Sequence, residues 1–411
     1  MKNTIVARIN PILNFFYIGL FKFLNIGSKY ILVGYLIRIL GENGYGVLTW
    51  VDSIVQYFIM LINFGFDLYA AKYVVENKNN PQKLNEVISS IYYIKSILFL
   101  ICFLFLIPLS FNTQINIYLN LILLMLILGI GEVLMPIWFF QGIEKMKSVT
   151  ILTFVTKTLL ILLTVFFIKN TFDLNLYIVF LVITNVFWGI FGFLKMKNEI
   201  QFEFISISKT TLIKYLREGY LFFIGKVSTF IFNMGTLFII GYFYSKGNVA
   251  GFDIAIKIVF VFIIPFEVLQ QAIYPRFVRG INKLVVKKIL IYSLVISTII
   301  AIFTYIFSEK ILQIFGGVTM IKYNFILPLV LPLIPIVSTT IILGNCIMVA
   351  KGFYKEYNRS LIVTALIFVL LIFILRILDN LSIMNIIYVR VLADIILLSI
   401  RFYYCIKYRL I

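Results

Sequence analysis

The sequence predicts an all-α integral membrane protein, with twelve transmembrane helices in two six-helix lobes around a central cavity. Apolar residues make up 62% of the 411 residues, charged residues only 13%, and the mean hydropathy is +1.06. Soluble domains are nearer to half apolar and a quarter charged. Long apolar stretches also recur along the chain, and basic residues cluster in alternate connecting segments. These features exclude an ordinary soluble domain.

Twelve stretches are long enough to cross a bilayer core, which requires about 20 residues of helix. Helices are expected because backbone polar groups in lipid must be satisfied within the same segment. The predicted spans are 12–36, 47–69, 87–110, 115–139, 149–168, 175–195, 219–242, 249–272, 287–307, 325–350, 360–377 and 382–405.

The distribution of basic residues predicts that both termini lie in the cytoplasm, because cytoplasmic segments are enriched in lysine and arginine. In this orientation, with basic residues near span ends counted in the adjoining segment, 23 of the 36 basic residues are cytoplasmic, six lie in outer loops and seven within spans. Lys2 and Arg8 form the first cytoplasmic group and precede no cleavage pattern, so no cleavable signal peptide is expected. The net charge of +19 is then explained by the membrane topology and by attraction to anionic lipid headgroups, and nucleic-acid binding is not needed to explain it.

The longest polar interruption divides the predicted spans into two groups of six. A shift of 207 residues aligns Gly44-Tyr45 with Gly251-Phe252, and Gly34-Tyr35 with Gly241-Tyr242. This weak similarity indicates two parallel repeats, an organisation that many transporters share. The predicted organisation is an N-terminal lobe over 1–195, a cytoplasmic linker over 196–218 and a C-terminal lobe over 219–411.

Polar side chains form stripes along predicted helices 1, 2, 7 and 8. A charged residue in the middle of a membrane costs about 2.5–3.5 kcal/mol on insertion scales, so it normally faces a protein interior or a wet cavity. We therefore expect these stripes to line one substrate-binding cavity between the lobes. Its predicted lining residues are Lys22, Asn25, Lys29, Gln56, Asn63, Lys226, Thr229, Asn233 and Lys257.

Other charged residues within the spans have simpler interpretations. Lys95 and Lys157 lie about eight residues from helix ends, so we expect their side chains to extend to the interface. Arg390 is four residues from Asp394, and Lys257 is four residues from Asp253. In each pair we expect the two opposite charges to neutralise each other.

Carboxyl groups within the spans are candidates for ion coupling. Glu132 lacks a local partner and is interpreted either as a buried hydrogen-bonding group or as an ion carrier. The candidates for ion coupling are Asp52, Glu132 and Glu267.

Several kinds of chemistry are excluded by composition. The chain has no histidine, and Cys102, Cys346 and Cys405 are too far apart for a metal or redox motif. We expect these cysteines to be buried apolar residues. Neither a nucleotide-binding loop nor a cluster of outer acidic residues is present. No catalytic residue, metal site or cofactor is therefore predicted.

Three segments resemble a known family of membrane proteins. The stretch 40–46 (LGENGYG), followed by 63–72 (NFGFDLYAAK), resembles the first helical hairpin of Wzx-type polysaccharide biosynthesis flippases. The stretch 136–146 (PIWFFQGIEKM) is very similar to the end of their fourth helix, and residues 222–277 match more loosely. Chain length, twelve predicted spans and the midpoint linker also fit this family.

The resemblance implies the fold of the multidrug/oligosaccharidyl-lipid/polysaccharide exporter superfamily. It also implies a bacterial inner-membrane flippase for undecaprenyl-pyrophosphate-linked oligosaccharide repeat units, acting in O-antigen (lipopolysaccharide) or capsule synthesis by alternating access. Expected partners are this lipid-linked glycan, membrane lipid, a polysaccharide polymerase and a chain-length regulator, but no nucleic acid. A cation-coupled small-molecule exporter and a polytopic polymerase or glycosyltransferase remain the alternatives.

Overall fold

The computed structural model describes residues 11–280 and 282–411, and within these ranges it is helical apart from short connections, without β-strands. Lys2 and Arg8 lie outside the described residues. The helices are α1 (Pro11–Asn63), α2 (Phe66–Asn77), α3 (Pro81–Ser110), α4 (Thr113–Asn116), α5 (Leu119–Leu126), α6 (Leu128–Leu134), α7 (Ile137–Gly142), α8 (Met146–Phe167), α9 (Leu174–Ile200), α10 (Lys209–Phe243), α11 (Lys246–Arg279), α12 (Lys283–Ile306), α13 (Ser308–Gly316), a 3-10 helix (Val318–Tyr323), α14 (Ile326–Val330), α15 (Leu333–Ile341), a π-helix (Ile342–Val349), α16 (Tyr354–Ile377) and α17 (Ile383–Lys407).

Membrane-spanning helices dominate the described chain. Eleven helical segments within it are long and apolar enough to cross a membrane. The first of them, Phe16–Asn63, covers both the first and the second predicted spans. The prediction of an all-α, multi-pass membrane protein is confirmed, while the count of twelve spans and the two lobes stay predictions.

Helix α1 is broken at one residue, where the sequence predicted a loop of about ten. Gly41 has φ 71° and ψ 171°, a conformation that side chains larger than hydrogen rarely adopt. Helix continues on both sides because buried apolar residues recur at helical spacing, with Leu36 and Leu40 before the break and Tyr45 and Leu48 after it. The predicted loop over 37–46 is therefore wrong.

Two interruptions of the helices lie at prolines. Pro136 separates α6 from α7, since proline has no backbone N–H to donate. Pro332 lies between α14 and α15, and α15 runs directly into the π-helix. Predicted helix 10 is therefore irregular.

The chain divides into two compact units. The first contains Met1–Leu40 and Val51–Lys226, and the second contains Gly41–Trp50 and Val227–Ile411. In the first unit, α9 packs against α6 and α8, and α2 packs against α7; in the second, α17 packs against α16 and α15. The predicted lobes 1–195 and 219–411 stay a prediction. The ten residues after the break in α1 belong to the second unit, although their sequence neighbours belong to the first.

Small residues explain how Gly41–Trp50 packs within the second unit. A Cβ atom on Gly46 would overlap the backbone carbonyl group of Lys246, and one on Gly241 would overlap the Trp50 ring. The Trp50 Nε1 donates a hydrogen bond to the Phe238 carbonyl at 3.0 Å. The Lys246 Nζ lies 3.4 Å from the centre of the Trp50 ring, a cation–π contact. Glycine is required at these contacts because helix backbones approach closely.

Replacement of Gly46 by alanine is expected to destabilise the protein by about 1–3 kcal/mol, the usual cost of overpacking. The added methyl group meets backbone atoms, which cannot rotate away. Thermal unfolding of the purified variant in detergent would measure the change. Gly19→Ala is the matched control, because no atom lies within 4 Å of a Cβ atom at that position of the same helix. Equal melting temperatures for the two variants would contradict the close packing.

Candidate functional site

Polar side chains of the first unit meet around the carboxyl group of Glu132 on α6. The Asn63 Nδ2, at the end of α1, donates a hydrogen bond to the Glu132 Oε2 at 3.1 Å. The Lys95 Nζ, on α3, donates a short hydrogen bond to the backbone carbonyl of Glu132. Lys95 is only 2% exposed. Its predicted extension to the membrane interface is therefore wrong, because the ammonium group finds its hydrogen-bond acceptor inside the unit.

An ion pair joins α10 to α2 in the same unit. The Lys226 Nζ on α10 is 2.6 Å from the Asp67 Oδ2 on α2, and both side chains are about one-third exposed. Lys95 lies within electrostatic range of both Asp67 and Lys226. The pair and the Glu132 group therefore share one electrostatic environment.

Two further lysines extend this environment towards α1. Lys157 on α8 lies within electrostatic range of Lys29 and Glu132. We refer to Lys29, Lys95, Lys157 and Lys226, with the carboxyl groups of Asp67 and Glu132, as the lysine cluster. It contains four lysines and only two carboxyl groups. An excess of ammonium groups favours an anionic ligand, such as a phosphate.

Aromatic packing holds α2 against the first part of α10. Gly65 adopts φ 78°, and a Cβ atom there would press on Phe222 and Phe223. The Phe64 and Phe223 rings stack with centres 4.5 Å apart. These contacts place Asp67 and Lys226 within reach of each other.

Outside the predicted spans, Tyr73 on α2 and Tyr215 on α10 continue the contact between these two helices. The Tyr73 hydroxyl donates a short hydrogen bond to Glu218. Burial, together with this hydrogen bond, raises the pKa of Tyr73. Burial also raises the pKa of Tyr215 to about 12, so both phenols stay neutral at physiological pH and remain able to donate.

Other predicted residues of the first unit lie apart from the lysine cluster. The Asn25 Nδ2 donates to the Phe21 carbonyl at 3.1 Å, and the Gln56 Nε2 donates to the Asp52 Oδ1 at 2.9 Å. Lys22 is exposed. In the described part of the chain, no hydrogen bond or ion pair joins Lys22, Asn25, Asp52 or Gln56 to the cluster.

Lys257 of the second unit is held in a closed polar triad. Its Nζ is 2.5 Å from the Asp253 Oδ2 and 2.7 Å from the Tyr45 Oη. The Tyr45 hydroxyl donates to the same Asp253 oxygen at 2.5 Å. The predicted pairing of Asp253 with Lys257 is confirmed. Tyr45, which the sequence analysis did not connect with this pair, comes from the segment after the break in α1.

A second network of the second unit surrounds Arg390. Its guanidinium forms a short ion pair with Asp394, and both side chains are buried, with exposures of 3% and 6%. This confirms the predicted pairing. The Arg390 Nη2 also donates to the Asn233 Oδ1 at 2.6 Å, and the Asn233 Nδ2 donates to the Thr229 carbonyl at 3.0 Å. Glu267 lies on α11 of the second unit and is partly exposed.

Arg401 is a buried cation that sequence reasoning missed, because its position near the chain end suggested a cytoplasmic segment. It is 4% exposed. Its Nη1 donates to the Thr340 carbonyl at 3.0 Å, and its guanidinium lies 4.4 Å from the centre of the Tyr357 ring. A Cβ atom on Gly344, within the π-helix, would meet the same guanidinium. The irregular helix thus leaves space and a carbonyl for this cation.

Among residues 11–280 and 282–411, no group of three or more acidic or cysteine side chains is placed to hold a metal ion. Cys102, Cys346 and Cys405 are buried and free, which confirms that they serve as core residues.

Fold and site together define a polytopic helical membrane protein with charged groups inside its spans. The chain belongs to the family of polysaccharide biosynthesis proteins, whose model matches residues 12–281. A relative in Escherichia coli (strain K12), named "Putative O-antigen transporter", is 24% identical over 360 residues, covering 84% of this chain and 86% of that protein. A relative of the same name in Shigella dysenteriae is 24% identical over 265 residues, covering 62% of this chain and 66% of that protein.

Solved structures share the fold along nearly the whole chain. An inward-facing multidrug resistance MATE family transporter of the MOP superfamily aligns with a TM-score of 0.72 and 14% identity, covering 95% of this chain and 94% of that chain. A MOP superfamily transporter from Pyrococcus furiosus, described as having a binding pocket of reverse polarity, aligns with a TM-score of 0.64 and 16% identity, covering 100% and 99%. At these identities the likeness establishes the fold alone.

The burial of the ion pairs predicts how much each contributes to stability. Asp394→Ala should destabilise the protein by about 3–5 kcal/mol, because it leaves the Arg390 charge buried without its partner. Asp67→Ala is the matched comparison and should cost no more than about 1 kcal/mol, because that pair is partly exposed. Thermal unfolding in one detergent measures both. A larger loss for Asp67→Ala would contradict the assigned burial.

Proposed function

We propose that the protein is a flippase that moves undecaprenyl-pyrophosphate-linked oligosaccharide repeat units across a bacterial inner membrane for O-antigen or capsule synthesis. Both termini lie in the cytoplasm in this proposal. The family match and the name shared by the two relatives support a transporter of polysaccharide biosynthesis. The observation that supports an anionic substrate is the excess of lysines over carboxyl groups in the lysine cluster.

The lysine cluster suits a pyrophosphate for an electrostatic reason. Moving a diphosphate away from water and headgroups removes its hydration, and ammonium groups replace that hydration with charge-assisted hydrogen bonds. Lys29 and Lys157 lie close enough to affect one another, so an anion between these two cations relieves their repulsion. In the proposed mechanism they receive the pyrophosphate first, while Lys22 attracts it along α1.

The cations that are already paired with carboxylates contact the phosphate only after they exchange partners. Lys226 is held by Asp67 and Lys257 by Asp253, so each contacts a phosphate only when its carboxylate partner is displaced or protonated. Proton or cation binding at Glu132, Asp52 or Glu267 is one source of energy for such an exchange. Trapping of the product by polymerisation on the far side is the other.

Amide and hydroxyl side chains are proposed to bind the sugars. These residues are Asn25, Gln56, Asn63, Thr229 and Asn233. The Asn63 amide is bonded to Glu132 and the Asn233 amide to Arg390, and each can exchange that bond for a sugar hydroxyl. The lipid tail stays in the membrane, and alternating access delivers the head group to the other leaflet. A polymerase and a chain-length regulator are the proposed downstream partners.

A small-molecule exporter is the second candidate, because the solved structures of the same fold include a multidrug resistance transporter. Cationic drugs require an acidic or aromatic binding site, and the lysine cluster has the opposite charge. Family membership and the relatives' names also favour transport over a polymerase or glycosyltransferase.

Complementation tests the proposed function directly. The gene is expressed in strains that lack their own flippase and make different repeat units, and lipopolysaccharide or capsule is separated on gels. Restored polysaccharide ladders are expected for at least one repeat unit. Failure in all strains despite normal protein levels, together with drug efflux by the same cells, would favour the exporter.

Neutralisation of Lys22 and Lys29 together by alanine should abolish surface polysaccharide without lowering protein levels, because both cations are exposed and neither has a carboxylate partner in the described chain. The readout is the polysaccharide gel of the complemented strain. Lys22→Arg with Lys29→Arg is the matched control and should retain most activity. Normal ladders from the alanine variant would reject the role of these cations.

A further inference from the structure

The outer face of the first unit contains a recessed groove of about 580 Å³, within the range of roughly 300–1,000 Å³ that is usual for ligand pockets. Helices α8 and α9 form its sides, Met135 comes from the connection between α6 and α7, and Phe140 comes from α7. The lining is almost entirely apolar. Its remaining members are Ser148, Val149, Ile151, Leu152, Val155, Thr156, Leu159, Phe187, Phe191, Gly192 and Lys195.

The two helices that form the groove are joined to each other, and one side of the groove is open. The Trp188 Nε1 on α9 donates to the Thr153 Oγ1 on α8 at 3.0 Å. A Cβ atom on Gly192 would overlap the Met135 sulfur, so glycine creates part of the recess. Val155 and Phe191 are each about half exposed. Because they lie within membrane-spanning helices, the open side is accessible to lipid.

Free polar groups lie at one end of the groove only. Helices α8 and α9 are antiparallel, so Ser148, near the start of α8, and Lys195, near the end of α9, lie at the same end. Within the described chain, neither side chain has a hydrogen-bond or ion-pair partner. Lys145 pairs with Glu199 at 2.5 Å just beyond them and joins the two helices there. The Thr156 hydroxyl, in contrast, bonds to backbone carbonyls of its own helix.

The length of the groove matches one leaflet. Ser148 and Leu159 are eleven residues apart on α8, which corresponds to about 16 Å of helix. A bilayer core is about 30 Å thick, so the groove extends from a polar end to near the midplane. An acyl chain of one leaflet fits this length, whereas a long polyprenyl chain exceeds it.

We propose that this groove binds one acyl chain of an anionic phospholipid, whose phosphate contacts the ammonium group of Lys195 and the hydroxyl of Ser148. The apolar walls exclude a polar ligand, and the single cationic end sets the direction of the lipid. The site is separate from the lysine cluster, so its existence does not depend on the proposed transport function.

Native mass spectrometry of the purified full chain tests the site, with phosphatidylglycerol as the probe and phosphatidylcholine as the neutral competitor. We expect one retained phosphatidylglycerol per chain for the unaltered protein. Lys195→Gln should reduce retention at least fivefold by removing the charge, and Val155→Trp should reduce it similarly by filling the groove. Lys197→Gln is the matched control, because Lys197 is an exposed lysine on the same helix outside the lining.

Each remaining outcome would overturn the proposal. Equal retention by Lys195→Gln and the unaltered protein would show that Lys195 does not contact the lipid phosphate. A loss with Lys195→Gln but not with Val155→Trp would indicate attraction to a charged surface without a chain in the groove. Displacement of phosphatidylglycerol by equimolar undecaprenyl phosphate would assign the groove to a polyprenyl lipid instead. Because both substituted side chains are exposed, folding is expected to be retained, and elution volume and circular dichroism verify it.

Discussion

A charge among apolar helices must find an opposite charge, a polar oxygen or water, because burial of an uncompensated ion is prohibitively costly. This requirement organises the polar interior of both units. Lys95 donates to a backbone carbonyl, Lys257 contacts a carboxylate and a phenol, and Arg401 uses a carbonyl and an aromatic ring. The backbone irregularities at Pro136 and in the π-helix lie close to such groups, where regular helix would leave fewer acceptors free.

The two units satisfy this requirement differently. In the second unit Asp394 neutralises Arg390 and Asp253 neutralises Lys257, while Arg401 is held by a carbonyl and an aromatic ring. In the first unit the lysine cluster has more lysines than carboxyl groups, and Lys29 lacks a carboxylate partner among the described residues. Closed networks favour a fixed structure, whereas unbalanced charge favours an external ligand of opposite sign. The first unit is therefore the better candidate for recognition of a phosphate.

Local sequence patterns predicted some of this site and could not have predicted the rest. Spacing of four residues on one helix foretold the pairs Arg390–Asp394 and Asp253–Lys257, because helical geometry alone brings such side chains together. The Lys226–Asp67 pair joins residues 159 positions apart, and no local pattern indicates it. Lys95 was misinterpreted because distance along a helix does not reveal which carbonyl of a neighbouring helix lies beside the ammonium group. Arg401 was missed for the same reason.

Composition and periodicity by themselves determined that this chain is a multi-pass helical membrane protein, since apolar runs of bilayer length have few other stable structures. Short motifs, read as a resemblance, determined its family. Tertiary structure decided the partners of the cations that lack an acidic residue nearby on their own helix, such as Lys226 and Lys95. It also decided that the residues after Gly41 pack with the second unit, where Gly46 and Gly241 permit close contact. The physical reason is that hydropathy acts along the chain, whereas charge compensation and backbone contact depend on residues that only folding brings together.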